Sequence, residues 1–205
     1  MKINTGIFIF DDVEILDFTG PYEVFSATRL SSKVLSNKNV KEIYATDSPF
    51  NVFTITEKNR SVITKGGLKV CGDYVFFDSP SIDILLIPGG TGIRNLLKNK
   101  EVISWLKKKQ NIDLIFSVCT GSLLLAAAGL LKNRKASTHW SAKKLLKKIS
   151  PSTTISNKRY INDTIWSSAG VASGIDLSLK IVEKYFGKRI AKNTAKYMEY
   201  KSNEK

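Results

Sequence analysis

The chain has 205 residues, 42% of them hydrophobic and 24% charged, with two cysteines and one histidine. This is long enough to bury the core of one α/β domain, and it excludes a disulfide framework, a zinc-finger spacing and a multi-histidine metal site. The formal net charge of +14 lies almost wholly after residue 90 and is mostly lysine.

Residues 2–10 predict a first strand. The apolar run is brief and meets Asp11, Asp12 and Glu14, which is not a signal-peptide pattern. The longest apolar run, residues 123–131, is too short to span a membrane, so no membrane partner and a cytoplasmic location are expected. Residues 11–20 predict a loop leading to a helix that starts near Pro21, since proline suits a first helical turn. Residues 41–46 predict a second strand. Gly66-Gly67 between the alternating stretches of residues 62–76 predicts a hairpin. Residues 82–87 predict a core strand running into Pro88-Gly89-Gly90-Thr91-Gly92. After a helix over residues 102–110, residues 114–118 form a short apolar, partly β-branched run, as expected of a parallel strand covered on both faces. Residues 123–128 are strong helix formers, with Gly129 placed to end the helix. A short strand (136–138), an amphipathic helix (140–149), a hairpin of residues 160–162 and 165–167 around Asp163-Thr164, and two closing helices (175–186, 190–200) complete the chain. Strands alternating with helices predict a parallel sheet wrapped on both faces. With no repeat or low-complexity linker, one domain over residues 1–205 is expected. Lysines such as Lys107, Lys108, Lys143, Lys144, Lys147 and Lys148 fall on predicted outer helix faces. No helix-turn-helix or aromatic-basic motif accompanies them, so a solvated basic surface is expected and nucleic acid is not expected as a partner.

Cys119 stands at the corner between the strand 114–118 and its helix. A sharp strand-to-helix turn pushes its corner side chain out over the end of the sheet. The helix N-terminus adds unpaired N–H groups and partial positive charge, which favour thiolate over thiol. Cys119 is therefore a candidate nucleophile; the alternative is a buried packing cysteine. Ligands of such sheets sit outside the carboxyl ends of the strands, where four loops are expected to meet: the one after the first strand, residues 88–91, residues 119–122 and residues 169–174. Gly89 and Gly90 would let backbone N–H groups approach a ligand, and a Gly90 N–H paired with the Thr120 N–H would form an oxyanion hole; the alternative is a tight turn. Asp17, between Leu16 and Phe18, would be held protonated if buried and could donate to a thiolate or a substrate; the alternative is a solvent-facing helix cap. His139, at the end of the strand 136–138, is placed either beside the pocket or in a structural role. Cys71, in an alternating strand, is expected to be packing. Pocket lining is expected from loop side chains such as Tyr22, Trp140 and Trp166.

Five segments in order, Ile15-Leu16-Asp17-Phe18-Thr19-Gly20-Pro21, Ile87-Pro88-Gly89-Gly90-Thr91-Gly92, Ser117-Val118-Cys119-Thr120-Gly121-Ser122, Ala136-Ser137-Thr138-His139-Trp140 and Ala169-Gly170-Val171-Ala172-Ser173-Gly174-Ile175-Asp176, resemble the ThiJ/PfpI superfamily, relatives of class I glutamine amidotransferases. The resemblance is nearest to the isonitrile hydratase-like branch, which also includes N-terminal domains of AraC-type regulators. It implies an α/β, flavodoxin-like, doubly wound, mostly parallel sheet with helices on both faces and a nucleophile elbow. It implies Cys119 as nucleophile, Asp17 as its acidic partner and Thr120 as a neighbour that hydratase activity needs. It also implies a homodimer acting on a small molecule with no metal or organic cofactor. Protease-like members follow the cysteine with histidine; Thr120 stands there instead, against a peptidase. AraC-type relatives continue into a DNA-binding domain, and no reader helix is found here, against a transcription factor. The expected activity is addition of water to an isonitrile, giving an N-substituted formamide. The alternatives are a glyoxalase-like enzyme of α-oxoaldehydes, whose members usually carry glutamate in place of Asp17, and a non-catalytic cysteine redox sensor or stress protein.

Overall fold

The computed structural model describes residues 2–30 and 48–201. In chain order the strands are β1 (Ile3–Phe8), β2 (Phe50–Thr56), β3 (Ser61–Ile63), β4 (Lys69–Cys71), β5 (Tyr74–Val75), β6 (Ile84–Ile87), β7 (Leu114–Val118), β8 (Lys135–Ala136), β9 (Thr154–Ile155), β10 (Tyr160–Asn162) and β11 (Trp166–Ser168). Seven of them form one sheet in the order β10-β11-β7-β6-β1-β2-β5. All neighbours in it are parallel except β10, which closes its edge antiparallel to β11. β3 and β4 form the hairpin expected around Gly66-Gly67, while β8 and β9 make a separate parallel pair. The sheet reverses direction of winding between β1 and β6, which puts the switch-point crevice at their carboxyl ends.

Every residue of β6 and β7 is buried, so neither strand shows the alternation of a half-exposed sheet. Each such Ile or Leu contributes roughly 1.5–3 kcal/mol relative to exposure. Two helical layers cover the sheet. One comprises α1 (Ile15–Ala27) with the long closing pair, Ser173–Phe186 and Lys188–Tyr197. Its rings interlock with the sheet: Phe25 lies 4.8 Å from Phe50 and 6.0 Å from Phe116, and Phe50 lies 5.3 Å from Phe186. The second layer holds α2 (Ile93–Leu96), α3 (Lys100–Lys108), α4 (Gly121–Ala127) and α5 (Lys143–Ile149). The closing pair is numbered α6 and α7. On the second side Trp105 of α3 stacks on Phe76 at 4.0 Å and meets Phe8 at 5.8 Å. α3 is locally well specified. The Asn99 side chain caps the N–H groups of Glu101 and Val102, Glu101 sits in the first turn, Lys107 and Lys108 sit in the last, and Val102, Trp105 and Leu106 share the buried face.

Three expectations are corrected. α1 begins at Ile15 and carries Pro21 inside it, not in its first turn. Burial of Asp17, Phe18 and Gly20 against α6 overrides the local punctuation of Gly20-Pro21; a Cβ on Gly20 would lie 2.9 Å from Ile175. β2 stands where no strand is expected, although its Phe, Val, Thr and Ile content is strand-forming. Within residues 62–76, Tyr74 and Val75 belong to the main sheet and not to the hairpin. The strand predicted over residues 41–46 lies outside the described residues. Among the described residues, no helix is long and apolar enough to cross a membrane.

Candidate active site

The four expected loops do converge at the carboxyl ends of β1, β6, β7 and β11. The chain leaves β7 at Val118, enters α4 at Gly121 and turns at Cys119, whose φ is 57. A non-glycine residue there carries strain of about 1–3 kcal/mol and stays only where its surroundings hold it. Cys119 N–H donates to the Ser168 carbonyl at 3.1 Å. Ser122 Oγ donates to Thr138 Oγ1 at 2.8 Å, and Thr138 Oγ1 donates to the Cys119 carbonyl at 3.1 Å. The elbow is thus tied to β11 and to the segment before His139.

Asp17, in the first turn of α1, is fully buried and is no helix cap. Its Oδ2 accepts the Gly89 N–H at 2.9 Å. Its Oδ1 is buried with no hydrogen-bond partner, and the Cys119 thiol neighbours the carboxyl. Glycine is required at position 89 by this closeness: a Cβ would lie 2.6 Å from Thr120 N and Oγ1 and 2.8 Å from Asp17 Oδ2. Gly90 N–H donates to Thr120 Oγ1 at 3.0 Å. It is therefore engaged by a side chain and does not stand beside the Thr120 N–H as an open oxyanion hole. Thr120, by its own N–H and hydroxyl, instead serves the Cys119 sulfur.

Electrostatics differ from the sequence expectation. Burial, then the neighbouring Asp17 carboxylate, push the Cys119 thiol up to about 12, and the Thr120 contacts offset this only in part. The anticipated thiolate-favouring effect of the α4 terminus is outweighed, because Cys119 is only 7% exposed and its thiol neighbours a carboxyl. Burial also raises Asp17 to about 7, against the Gly89 hydrogen bond. Each group contributes to the other's shift, so the ionisation of one depends on the state of the other.

Cys119 and Thr120 open onto a cavity of about 420 Å³. Ile93, Leu123, Leu145 and Val171 give it apolar walls; Glu14, Lys65, Arg94 and Lys144 add charge. His139 lines it too, facing Cys119 across Gly170: a Cβ at Gly170 would lie 3.2 Å from His139 Cδ2 and 3.3 Å from Cys119 Sγ. His139 Nδ1 is engaged by Ser141, whose Oγ lies 2.7 Å and whose N–H nitrogen lies 3.4 Å away. Cys119, Asp17, Thr120, Gly89, Gly90 and His139 are thus brought together. Tyr22, Trp140 and Trp166 do not line this cavity; Trp140 is 77% exposed on a neighbouring cleft and Trp166 is buried in β11. Cys71 is exposed on β4 and not packed. Sequence patterning missed the cavity's cations, because lysine is abundant throughout the chain, and missed Ser122 and Thr138, whose hydroxyls carry no periodic signal.

A sequence profile of the DJ-1/PfpI family matches residues 4–184. The chain is 27% identical over 201 residues to an isonitrile hydratase of Pseudomonas putida, covering 98% of this chain and 79% of that one. It is 29% identical over 130 residues to Protein DJ-1alpha of Drosophila melanogaster, covering 62% and 55%. It is 25% identical over 139 residues to the HTH-type transcriptional regulator GbdR of Pseudomonas aeruginosa, covering 67% of this chain and 38% of the regulator. Among solved structures, a ThiJ/PfpI family protein from Pseudomonas syringae superposes with a TM-score of 0.83 at 22% identity, covering 100% and 77%. Schizosaccharomyces pombe DJ-1 superposes with a TM-score of 0.74 at 17% identity, covering 97% and 100%. Both share the flavodoxin-like fold.

Proposed function

The chain belongs to the DJ-1/PfpI family, and from that premise we propose that it is an isonitrile hydratase-like enzyme that converts R–N≡C to R–NH–CHO. The observation that carries this is the fully buried Asp17 carboxyl beside the Cys119 thiol that opens onto the cavity, with Thr120, not histidine, next to the sulfur. The similarity to an isonitrile hydratase along 98% of the chain supports it.

The chemistry follows from that pair. In the singly protonated pair, sulfur attacks the terminal isonitrile carbon while Asp17 passes the thiol's proton to the same carbon, giving the thioimidate R–N=CH–S. A carboxyl poised near neutrality suits such a transfer in both directions. Gly90 N–H donates to Thr120 Oγ1 at 3.0 Å, and the hydroxyl proton has two acceptors within reach, the Gly90 carbonyl at 3.3 Å and the Cys119 sulfur, to which it can turn as sulfur gains charge. Water then adds to the thioimidate carbon with one proton passing to nitrogen; the C–S bond breaks, the formamide leaves, and the remaining proton returns to the thiol. His139, held by Ser141 at Nδ1, lines the cavity beside the sulfur and leaves its second ring nitrogen for the substrate or the attacking water.

The same reading makes the protein a homodimer. Leu16 on α1 and Ile63 and Leu68 on the β3–β4 hairpin are 38%, 55% and 51% exposed, apolar surface that a second copy would cover. The activity is tested with cyclohexyl isocyanide, following N-cyclohexylformamide by chromatography. Product is expected from the wild type and none from Cys119→Ser. No product from the wild type, or equal product from both, overturns the proposal.

A further inference from the structure

The mouth of the cavity is cationic. Lys65 comes from the β3–β4 hairpin, Arg94 from α2 and Lys144 from α5, so three separate segments deliver positive side chains to one opening. Glu14 balances Lys65, with Nζ to Oε2 at 3.1 Å. Among the described residues, neither Arg94 nor Lys144 meets a carboxylate. Below them the walls turn apolar at Ile93, Leu123 and Leu145 before Cys119 is reached. The opening therefore has two uncompensated positive charges above an oily shaft and a reactive thiol.

We propose that the substrate is an isonitrile with an apolar body and a carboxylate tail, the carboxylate held by Arg94 and Lys144 while the isonitrile carbon points down to Cys119. Arg94 supplies the planar fork that grips a carboxylate with two parallel hydrogen bonds, and Lys144 adds a point charge from the opposite wall. A neutral substrate would fill the shaft and leave both cations unused. For the reacting group this inference rests on the hydratase reading; for the anionic tail it rests on the cavity alone.

Two measurements separate these dependencies. First, 6-isocyanohexanoate and its methyl ester are compared as substrates of the wild type and the Arg94→Gln/Lys144→Gln double variant. The carboxylate is expected to have a kcat/KM about tenfold above the ester, mainly through KM, with the ratio falling to about one in the double variant. Second, iodoacetate and iodoacetamide are compared as alkylators of Cys119, read by peptide mass against the exposed Cys71 of the same molecule. Cys119 is expected to favour iodoacetate several-fold relative to Cys71, and the preference is expected to vanish in the double variant and weaken at high salt. Turnover of ester and carboxylate with equal efficiency overturns the inference and leaves the hydratase reading standing. No turnover of either, with the iodoacetate preference intact, overturns the hydratase reading and leaves the anionic ligand. A Cys119 that is alkylated by both reagents with no iodoacetate preference over Cys71 overturns the inference outright.

Discussion

Asp17 and Asp176 occupy equivalent places: each sits in the first turn of a long helix, α1 and α6, and the two helices pack together. Both are buried, at 0% and 3% exposure. Their partners differ entirely. Asp176 Oδ2 receives Arg159 Nε at 2.6 Å and its Oδ1 receives the Tyr200 hydroxyl at 3.0 Å, so a guanidinium compensates the charge and the carboxylate ties the start of β10 and the end of α7 to α6. Asp17 has one backbone N–H, a neighbouring thiol and no adjacent cation in contact. Helix position and burial are common to both, so neither makes a carboxyl reactive. Withholding the counter-charge does, because an unpaired buried anion is costly enough to be protonated near neutrality.

The largest expected effect comes from making Asp17 permanently neutral. Asp17→Asn keeps the shape and the Gly89 contact but cannot shuttle a proton, so kcat/KM for isonitrile should fall by about 10³. In the wild type kcat/KM should rise with pH through about 7, as the doubly protonated pair loses its first proton, and then level off. Stability should move the other way. Folded Asp17 keeps its proton up to about 7, whereas the unfolded chain loses it near 3.8. The stabilisation from that proton is complete below 3.8 and is lost as pH rises to about 7. The loss is at most about 4 kcal/mol, and urea titrations of Asp17→Asn should show it gone. An Asn variant within tenfold of wild-type activity, or with the same pH dependence of stability, would erase the distinction between the two carboxyls.

This distinction shows which features sequence can carry. The elbow was legible because residues 114–118, apolar but for Ser117, lead directly towards helix formers, leaving Cys119 no place but the corner. The meeting of the four loops followed from the alternation of strands and helices, which puts ligands outside the strands' carboxyl ends. What depended on the third dimension did not come through. Gly20-Pro21 reads as a helix start until the close packing of α1 on α6 is known. The rise of the Cys119 thiol needs the burial of Asp17 beside it, which Leu16 and Phe18 hint at but do not establish. Arg94 and Lys144 look like any surface cations in a chain of charge +14 until two helices turn them toward one cavity.

At the compensated site the expected effect is on stability, not turnover. Arg159→Leu leaves Asp176 buried without its guanidinium. A fully buried broken pair costs about 3–5 kcal/mol, and because the Arg159 side chain is 42% exposed the loss here should be nearer 2 kcal/mol. Urea midpoints should fall accordingly, while kcat and KM of the folded enzyme stay within about twofold. A large loss of kcat with unchanged stability would assign chemistry to the wrong carboxyl.

The smallest effect tests how the strained elbow is held beside Asp17. Thr138 relays the Ser122 hydroxyl to the Cys119 carbonyl, at 2.8 and 3.1 Å, in a fully buried chain. Thr138→Val is nearly isosteric but leaves Ser122 Oγ and the Cys119 carbonyl to find one another directly across their existing 3.3 Å. Losing one buried hydrogen bond costs about 1 kcal/mol, and the residual Ser122 contact limits the damage. Because the hydroxyl chain fixes the backbone and touches no reacting atom, kcat should drop several-fold with KM little changed. The rise of kcat/KM through about 7 should stay where it is, since the Asp17–Cys119 proton is untouched. A shifted pH profile would instead mean that the hydroxyl chain, and not only the missing counter-charge, sets the protonation of the pair.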